Sequence, residues 1–174
     1  MRARLIAAGA AVMMMGWGVS ASAATARGHA LENDWGGVAG FHHATPGKGY
    51  WFACPSLENT SDLPVEVLEA ELVGAPAHWR TGEVRAAKRS ATHGMALAMY
   101  DKSFVEDPDL VRDYSKEPVP IAPGEESPIY YLVRAEAVAS PVSGKAEGCR
   151  FTYRTGNRVH SQILHAPFEL TTGD

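Results

Sequence analysis

Alternation with a period of two dominates the chain. Within Ser127–Val138, Ile129, Tyr131 and Val133 alternate with Tyr130, Leu132 and Arg134. Further on, Cys149, Phe151 and Tyr153 alternate with Arg150, Thr152 and Arg154. Successive side chains of a strand point to opposite faces, so both runs predict half-buried strands. Thr155-Gly156-Asn157 is a hairpin signal, and Arg158–His165 is the expected returning strand, with Val159, Ser161 and Ile163 on one face. Tyr50-Trp51-Phe52-Ala53-Cys54 is a continuous aromatic-rich run closed by Pro55, the pattern of a buried strand. Val38–His43 and the polar Glu83–Arg89 are shorter candidates, the second suited to a sheet edge. Gly94–Tyr100 puts Met95, Leu97 and Met99 on one face and Ala96, Ala98 and Tyr100 on the other.

One segment fits two periods. In Pro64–Val73, Val65, Leu68 and Leu72 share a face if it is a helix, with Ser61 or Asp62 as cap. As a strand, Val65 and Val67 alternate with Glu66, the phase slips by one residue, and Leu68, Ala70 and Leu72 alternate with Glu69 and Glu71. A one-residue slip is what a β-bulge produces. The strand reading agrees with its neighbours and with the abrupt stop at Gly74-Ala75-Pro76, while the glutamates favour the helix.

Turn clusters separate these runs at Thr45–Gly49, Asn59–Asp62 and Pro123-Gly124. Ala139–Gly148 reads as a small-residue loop, and residues 101–120 as a long charged loop with one helical turn near Leu110. About seven to nine short strands between such turns predict an all-β antiparallel sandwich or barrel in a single domain.

The first 23 residues follow a different rule. Arg2 and Arg4 precede the uncharged apolar run Leu5–Val19, and Ala21-Ser22-Ala23 follows. This is the order of a secretory signal peptide cleaved after Ala23. The run falls short of the roughly 20 apolar residues that a spanning helix needs. The expected organisation is a signal peptide (1–23), a flexible lead-in (24–36) and a β-sandwich domain (37–174), soluble outside the cytoplasm. The formal net charge of −4 becomes more negative once Arg2 and Arg4 leave. An acidic chain without clustered Lys/Arg excludes nucleic acid as a partner and argues against an anionic membrane surface.

Export changes the reading of the cysteines. Cys54 and Cys149 are the only two, and in an oxidising compartment a pair is expected to form a disulfide. The loop-entropy model gives such a long loop about 4–5 kcal/mol. Free thiols remain the alternative. No C-x-x-C redox pair is present, and no second Cys/His pair completes a zinc site.

Three motifs carry a family resemblance. They are Asn59-Thr-Ser-Asp-Leu-Pro-Val65, Ala122-Pro-Gly-Glu125 ahead of the Ile129–Arg134 strand, and Cys149-x-Phe-x-Tyr153 with Gly156 and the closing hairpin. Together they resemble the exported immunoglobulin-like β-sandwich proteins of high-GC Gram-positive bacteria. The resemblance implies an immunoglobulin-like fold and an extracytoplasmic setting, and no activity. The chain departs from antibody-type domains: Trp79 lies far beyond Cys54, and no Tyr stands two residues before Cys149.

Candidate chemistry is sparse. Of the seven histidines, His42 and His43 are adjacent and diverge in a strand, as do His160 and His165. His93, Met95 and Met99 share strand parity, and thioether sulfur with imidazole suits copper(I). The competing reading puts both Met side chains in the core. Hydrolase signatures such as G-x-S-x-G, H-E-x-x-H and S-x-x-K are absent, and Glu66, Glu69, Glu71, Glu125 and Glu126 read as solvated residues. Asn59-Thr60-Ser61 matches a glycosylation acceptor in a eukaryotic host. The consecutive aromatics Tyr50, Trp51 and Phe52, with Tyr130 and Tyr131, must turn at least one ring away from the core. Such rings form a binding surface for a protein or carbohydrate, or they are covered by the 101–120 loop. The expectation is a secreted, non-enzymatic binding module without a cofactor. A copper carrier using His93, Met95 and Met99 is the alternative, and a secreted hydrolase the third reading.

Overall fold

The computed structural model describes residues 25–34, 36–89, 95–106, 110–139 and 142–172. The signal-peptide reading of 1–23 and the ligand candidate His93 lie outside them. Twelve strands and one short helix are formed by the described residues. They are β1 (Ala26–Arg27), β2 (Leu31–Glu32), β3 (Ala39–Phe41), β4 (Gly49–Ala53), β5 (Glu58–Asn59), β6 (Val65–Val73), β7 (Trp79–Lys88), β8 (Ala98–Tyr100), α1 (Asp101–Glu106), β9 (Val119–Ile121), β10 (Ile129–Ala137), β11 (Ser143–Thr155) and β12 (Arg158–Thr171).

Two sheets pack face to face as a sandwich-like all-β fold. One has the order β7-β10-β4-β8 and is antiparallel throughout. The other runs β12-β11-β6-β9, also antiparallel. β1 and β3 lie parallel along the same edge of β12, one beside His160–Ser161 and one beside Phe168–Leu170. These two parallel pairings correct the purely antiparallel expectation. β12 runs on to Thr171, past the expected end at His165, and the added length is where β3 pairs, while β1 takes the edge of the expected strand.

The alternation places the core. Ile129, Tyr131 and Val133 of β10 meet Cys149, Phe151 and Tyr153 of β11, and all six are buried in one cluster. Tyr131 and Phe151 contact edge to face at 5.6 Å. Burying side chains of this size gives about 1.5–3 kcal/mol each. Cys54 and Cys149 form a disulfide between the sheets, with Cα atoms 5.8 Å apart. The hairpin between β11 and β12 turns at Gly156-Asn157, where Gly156 takes φ 55°, a value that glycine adopts without strain.

Pro64–Val73 resolves as strand β6. Opposite it, Tyr153 faces Val67 while Thr152 faces Glu69, so Leu68 is the extra residue of a bulge. The slip has a consequence for charge. Glu66 and Glu71 are an odd number of residues apart and would otherwise face opposite ways. The bulge turns both outward, against Arg154 and Arg150 in direct register.

Other expectations are corrected. Part of the lead-in is built into the fold as β1 and β2, with Leu31 fully buried. The Gln162 amide holds both backbone groups of Leu31, and the Tyr153 hydroxyl accepts from Ala30 N–H at 3.0 Å. The small-residue stretch before Gly148 belongs to β11 from Ser143 onward, where Ala146 pairs with Phe168. The charged connection opens with a helix that was not expected, α1, while Leu110 is in 3₁₀ conformation where the helical turn was expected. Of the described residues 95–100 of the Gly94–Tyr100 candidate strand, Ala98–Tyr100 is strand, and Leu97 is half exposed.

Two of the resembled turns meet each other. Asn59 N–H donates to Glu125 C=O at 3.0 Å, and Gly124 N–H donates to Asn59 C=O at 2.7 Å. The Asn59 amide is fully buried, donating to Leu63 and Ile121 carbonyls and accepting from Ser61. A side chain held this way is a structural pin, and the folded protein offers no acceptor for glycosylation there.

Candidate functional site

The five aromatics proposed as a binding surface are all buried. Tyr50 and Phe52 of β4 and Tyr131 of β10 point into the main core. Trp51 and Tyr130 point to the other side of the four-stranded sheet, as alternation requires, but a second apolar layer closes over them. That layer comes from the connection between β7 and β10. Phe104 of α1 stacks on Trp51 at 4.0 Å and 11° between planes, and Met99 and Leu110 complete it. The exposed-ring expectation is therefore corrected: the charged connection hides an apolar underside. Burial also pushes the Tyr131 hydroxyl pKa far upward.

The two described copper candidates, Met95 and Met99, fall into the same layer. Met99 is buried against it and Met95 is partly buried, both among apolar neighbours. Among the described residues, no group of three or more His, Cys, Asp or Glu side chains is placed to hold a metal ion.

An Arg–Asp clamp ties the layer down. Arg134 is on the outer side of β10, and its Nε and Nη2 donate to the two Asp101 carboxylate oxygens at 3.0 and 2.8 Å. These bonds hold the Asp101 carboxyl below its ordinary pKa of 3.8 against the opposing effect of burial, and the Trp51 indole adds a smaller pull the same way. Asp101 in turn raises the Arg134 pKa. The pair crosses β4 at Gly49, where an added Cβ would push both side-chain ends of the clamp aside.

Beside the clamp lies a cleft of about 640 Å³. One wall is the Thr45–Gly49 turn. It is fixed by the Tyr50 hydroxyl, which accepts from Thr45 N–H at 2.6 Å, and by Gly47 N–H donating to Ala137 C=O at 2.8 Å. The other wall is the β8–α1 junction, with Tyr100, Asp101, Lys102 and Ser103. Tyr100 is 51% exposed, the one aromatic among the exposed large apolar side chains described. Its ring rests on Phe41 and Tyr50, with centroids 4.7 and 5.7 Å away. Lys48 enters from the turn and has no carboxylate partner among the described residues. Such a site can stack a flat or apolar ligand face on a fixed ring and meet polar groups with Thr45, Ser103 and two ammonium groups.

Alternation alone missed this site because it assigned Tyr100 only a strand face, together with Ala96 and Ala98. The signal that points to it is Tyr100-Asp101-Lys102 directly after an apolar run, opposite a Gly47-Lys48-Gly49 turn.

A second charged depression has part of its charge paired. A groove of about 360 Å³ beside β1 is lined by Arg27, Arg150, Glu147 and His165 among others. There Arg150 is engaged by Glu71 at 2.7 Å, and His165 approaches Glu147 at 3.4 Å.

The fold and site define a disulfide-stapled all-β protein with a cleft that carries the half-exposed Tyr100 ring. No protein-family model, curated protein or solved structure matches the chain.

Proposed function

We propose that this chain is an exported, non-enzymatic binding module on an immunoglobulin-like sandwich, and that the Tyr100 cleft takes a carbohydrate. The strand order supports the immunoglobulin-like reading. An immunoglobulin domain pairs D-E-B in one sheet and C-F-G in the other, with a disulfide from B to F. Here β7-β10-β4 and β6-β11-β12 follow those orders, and the disulfide joins the end of β4 to β11. The connection between β7 and β10 is then an insertion between strands D and E, which supplies both the second layer and one wall of the cleft. A disulfide in this position suits an oxidising compartment. Among the described residues, no helix is long and apolar enough to cross a membrane.

The observation that carries the function is Tyr100: a half-exposed ring, immobilised from behind, at the mouth of a cleft with polar walls. A fixed aromatic face offers contact area at little conformational cost. Titration calorimetry on the disulfide-bonded protein with neutral and acidic oligosaccharides tests it. Binding should occur and should fall at least about tenfold in Tyr100→Ala, a loss of about 1.4 kcal/mol. Binding that survives this substitution unchanged would move the site elsewhere. Export is tested separately by sequencing the N-terminus of protein from culture medium, which should begin at Ala24.

A further inference from the structure

We infer that the cleft selects an acidic oligosaccharide, with Lys48 and Lys102 meeting sugar carboxylates on either side of the Tyr100 ring. This inference rests on the carbohydrate reading above and narrows it.

The charge balance of the cleft differs from that of the chain. Overall the protein is acidic, with a formal net charge of −4. Yet two of its five lysines line this one cleft. The carboxylate in the lining, Asp101, is spent on Arg134, which takes both of its oxygens. Lys48 has no carboxylate partner among the described residues. Lys102 reaches Glu106 only at 3.9 Å, with both side chains largely exposed. Exposed pairs of that kind are worth little and exchange readily for a better partner. The positive charge of the cleft is therefore available, whereas Arg150, Arg154 and Lys145 on the other sheet each face a glutamate.

The placement of the two cations fits a polymer with repeated charge. Lys48 comes from the turn wall, and Lys102 stands two residues beyond Tyr100 on the opposite wall. A sugar ring stacked on Tyr100 would present its neighbouring units toward both. Lysine contributes a compact point charge and no fixed fork, so it accepts a carboxylate in many orientations along a flexible chain. Neutral sugars gain nothing from these ammonium groups beyond ordinary hydrogen bonds. Selectivity should also be sensitive to salt, because both ammonium groups are exposed.

The test uses hexamers of galacturonate and of mannuronate, each beside its methyl ester, which keeps the chain and removes the charge. Calorimetry on the disulfide-bonded protein should show at least one free acid binding about tenfold tighter than its ester, the effect of about two weak ion pairs. The advantage should shrink as sodium chloride is raised. The double variant Lys48→Gln/Lys102→Gln should bind acid and ester alike, at the ester affinity of the parent. Both side chains are exposed, so an unchanged thermal midpoint confirms that the variant is folded. Equal affinity for acid and ester in the parent overturns the inference and leaves the carbohydrate reading standing. An acid preference that survives the double variant also overturns it. If no oligosaccharide binds, neutral or acidic, both readings fall.

Discussion

The two sheets treat their outer faces in opposite ways. Outside the four-stranded sheet, β4 and β10 present Trp51, Ala53, Tyr130 and Leu132, all nearly inaccessible beneath α1 and Leu110. Outside the six-stranded sheet, β6 and β11 present Glu66, Glu71, Arg150, Thr152 and Arg154, which stay in contact with water. Both faces come from the same period-two alternation. The difference lies in the residues at the off-core positions. An apolar outer face must be covered, and its strands read as continuous hydrophobic runs, as Gly49–Ala53 does. A polar outer face needs only partners for its charges, and the Leu68 bulge supplies them by bringing Glu66 and Glu71 to one side. The covering segment then carries the feature that the open face lacks, a cleft with an exposed ring.

If the covered face is a true second core, cutting into it should cost as much as cutting into the first. Trp51→Ala removes a ring that stacks on Phe104 and should lose about 3–5 kcal/mol. Thr152→Ala, the matching off-core change on the open face, should stay within about 0.5 kcal/mol. Urea denaturation of both variants measures the contrast. A Trp51→Ala loss as small as that of Thr152→Ala would mean that the second layer contributes no core energy.

A second prediction separates the clamp from the packing above it. The Asp101 pKa is lowered in the folded state, so the clamp's contribution is fully present above the ordinary value of 3.8. It is lost as pH falls through the depressed folded value. Glu126, held down chiefly by Arg89, behaves likewise from its ordinary 4.5. At Asp113, burial pushes the pKa up, but hydrogen bonds from Ser115 and Ala86, with Lys116 nearby, leave it lowered overall. Stability should therefore decline as pH drops below about 4.5. Asp101→Asn should lose about 1 kcal/mol at pH 7, modest because the Asp101 side chain is 44% exposed. It should also flatten the acid limb of the stability curve. Stability curves for the two proteins that differ by a constant across pH 2–7 would show that the carboxylate charge plays no part.

What could be read from the sequence follows the same divide. β10 was legible as a strand from its run of β-branched and aromatic residues, although its outer face is covered. β11 and its core residues were legible because alternation reports burial directly where one face is wet. The bulge in β6 was legible for the same reason, as a break in phase between Val67 and Leu68. The second layer was not, because α1 and Leu110 carry no period of their own and bury single residues, Phe104 and Leu110, between charges. β1 and β2 were hidden for a related reason: two-residue strands have no periodicity, and they are held by distant partners, β1 by pairing with β12 and Leu31 of β2 by the Gln162 amide. The disulfide needed only the compartment and the count of cysteines. The two walls of the cleft each have a local signal, Tyr100-Asp101-Lys102 and the Gly47-Lys48-Gly49 turn, but their meeting depends on β8 being an edge against which the turn folds, which no local pattern reports.

The smallest effect belongs to the open face. Arg150 and Glu71 sit directly opposite each other, Nη1 to Oε1 at 2.7 Å, with side chains 41% and 54% exposed. Water screens such a pair, and ordering two long side chains offsets part of the attraction. A double-mutant cycle with Arg150→Gln and Glu71→Gln should give a coupling energy of about 0.2–1 kcal/mol, fading in 1 M salt. Each single change leaves the remaining charge hydrated, so neither variant should approach the loss in Trp51→Ala. A coupling above about 2 kcal/mol would mean that this face is shielded in solution, and the contrast between a covered sheet and an open one would then fail.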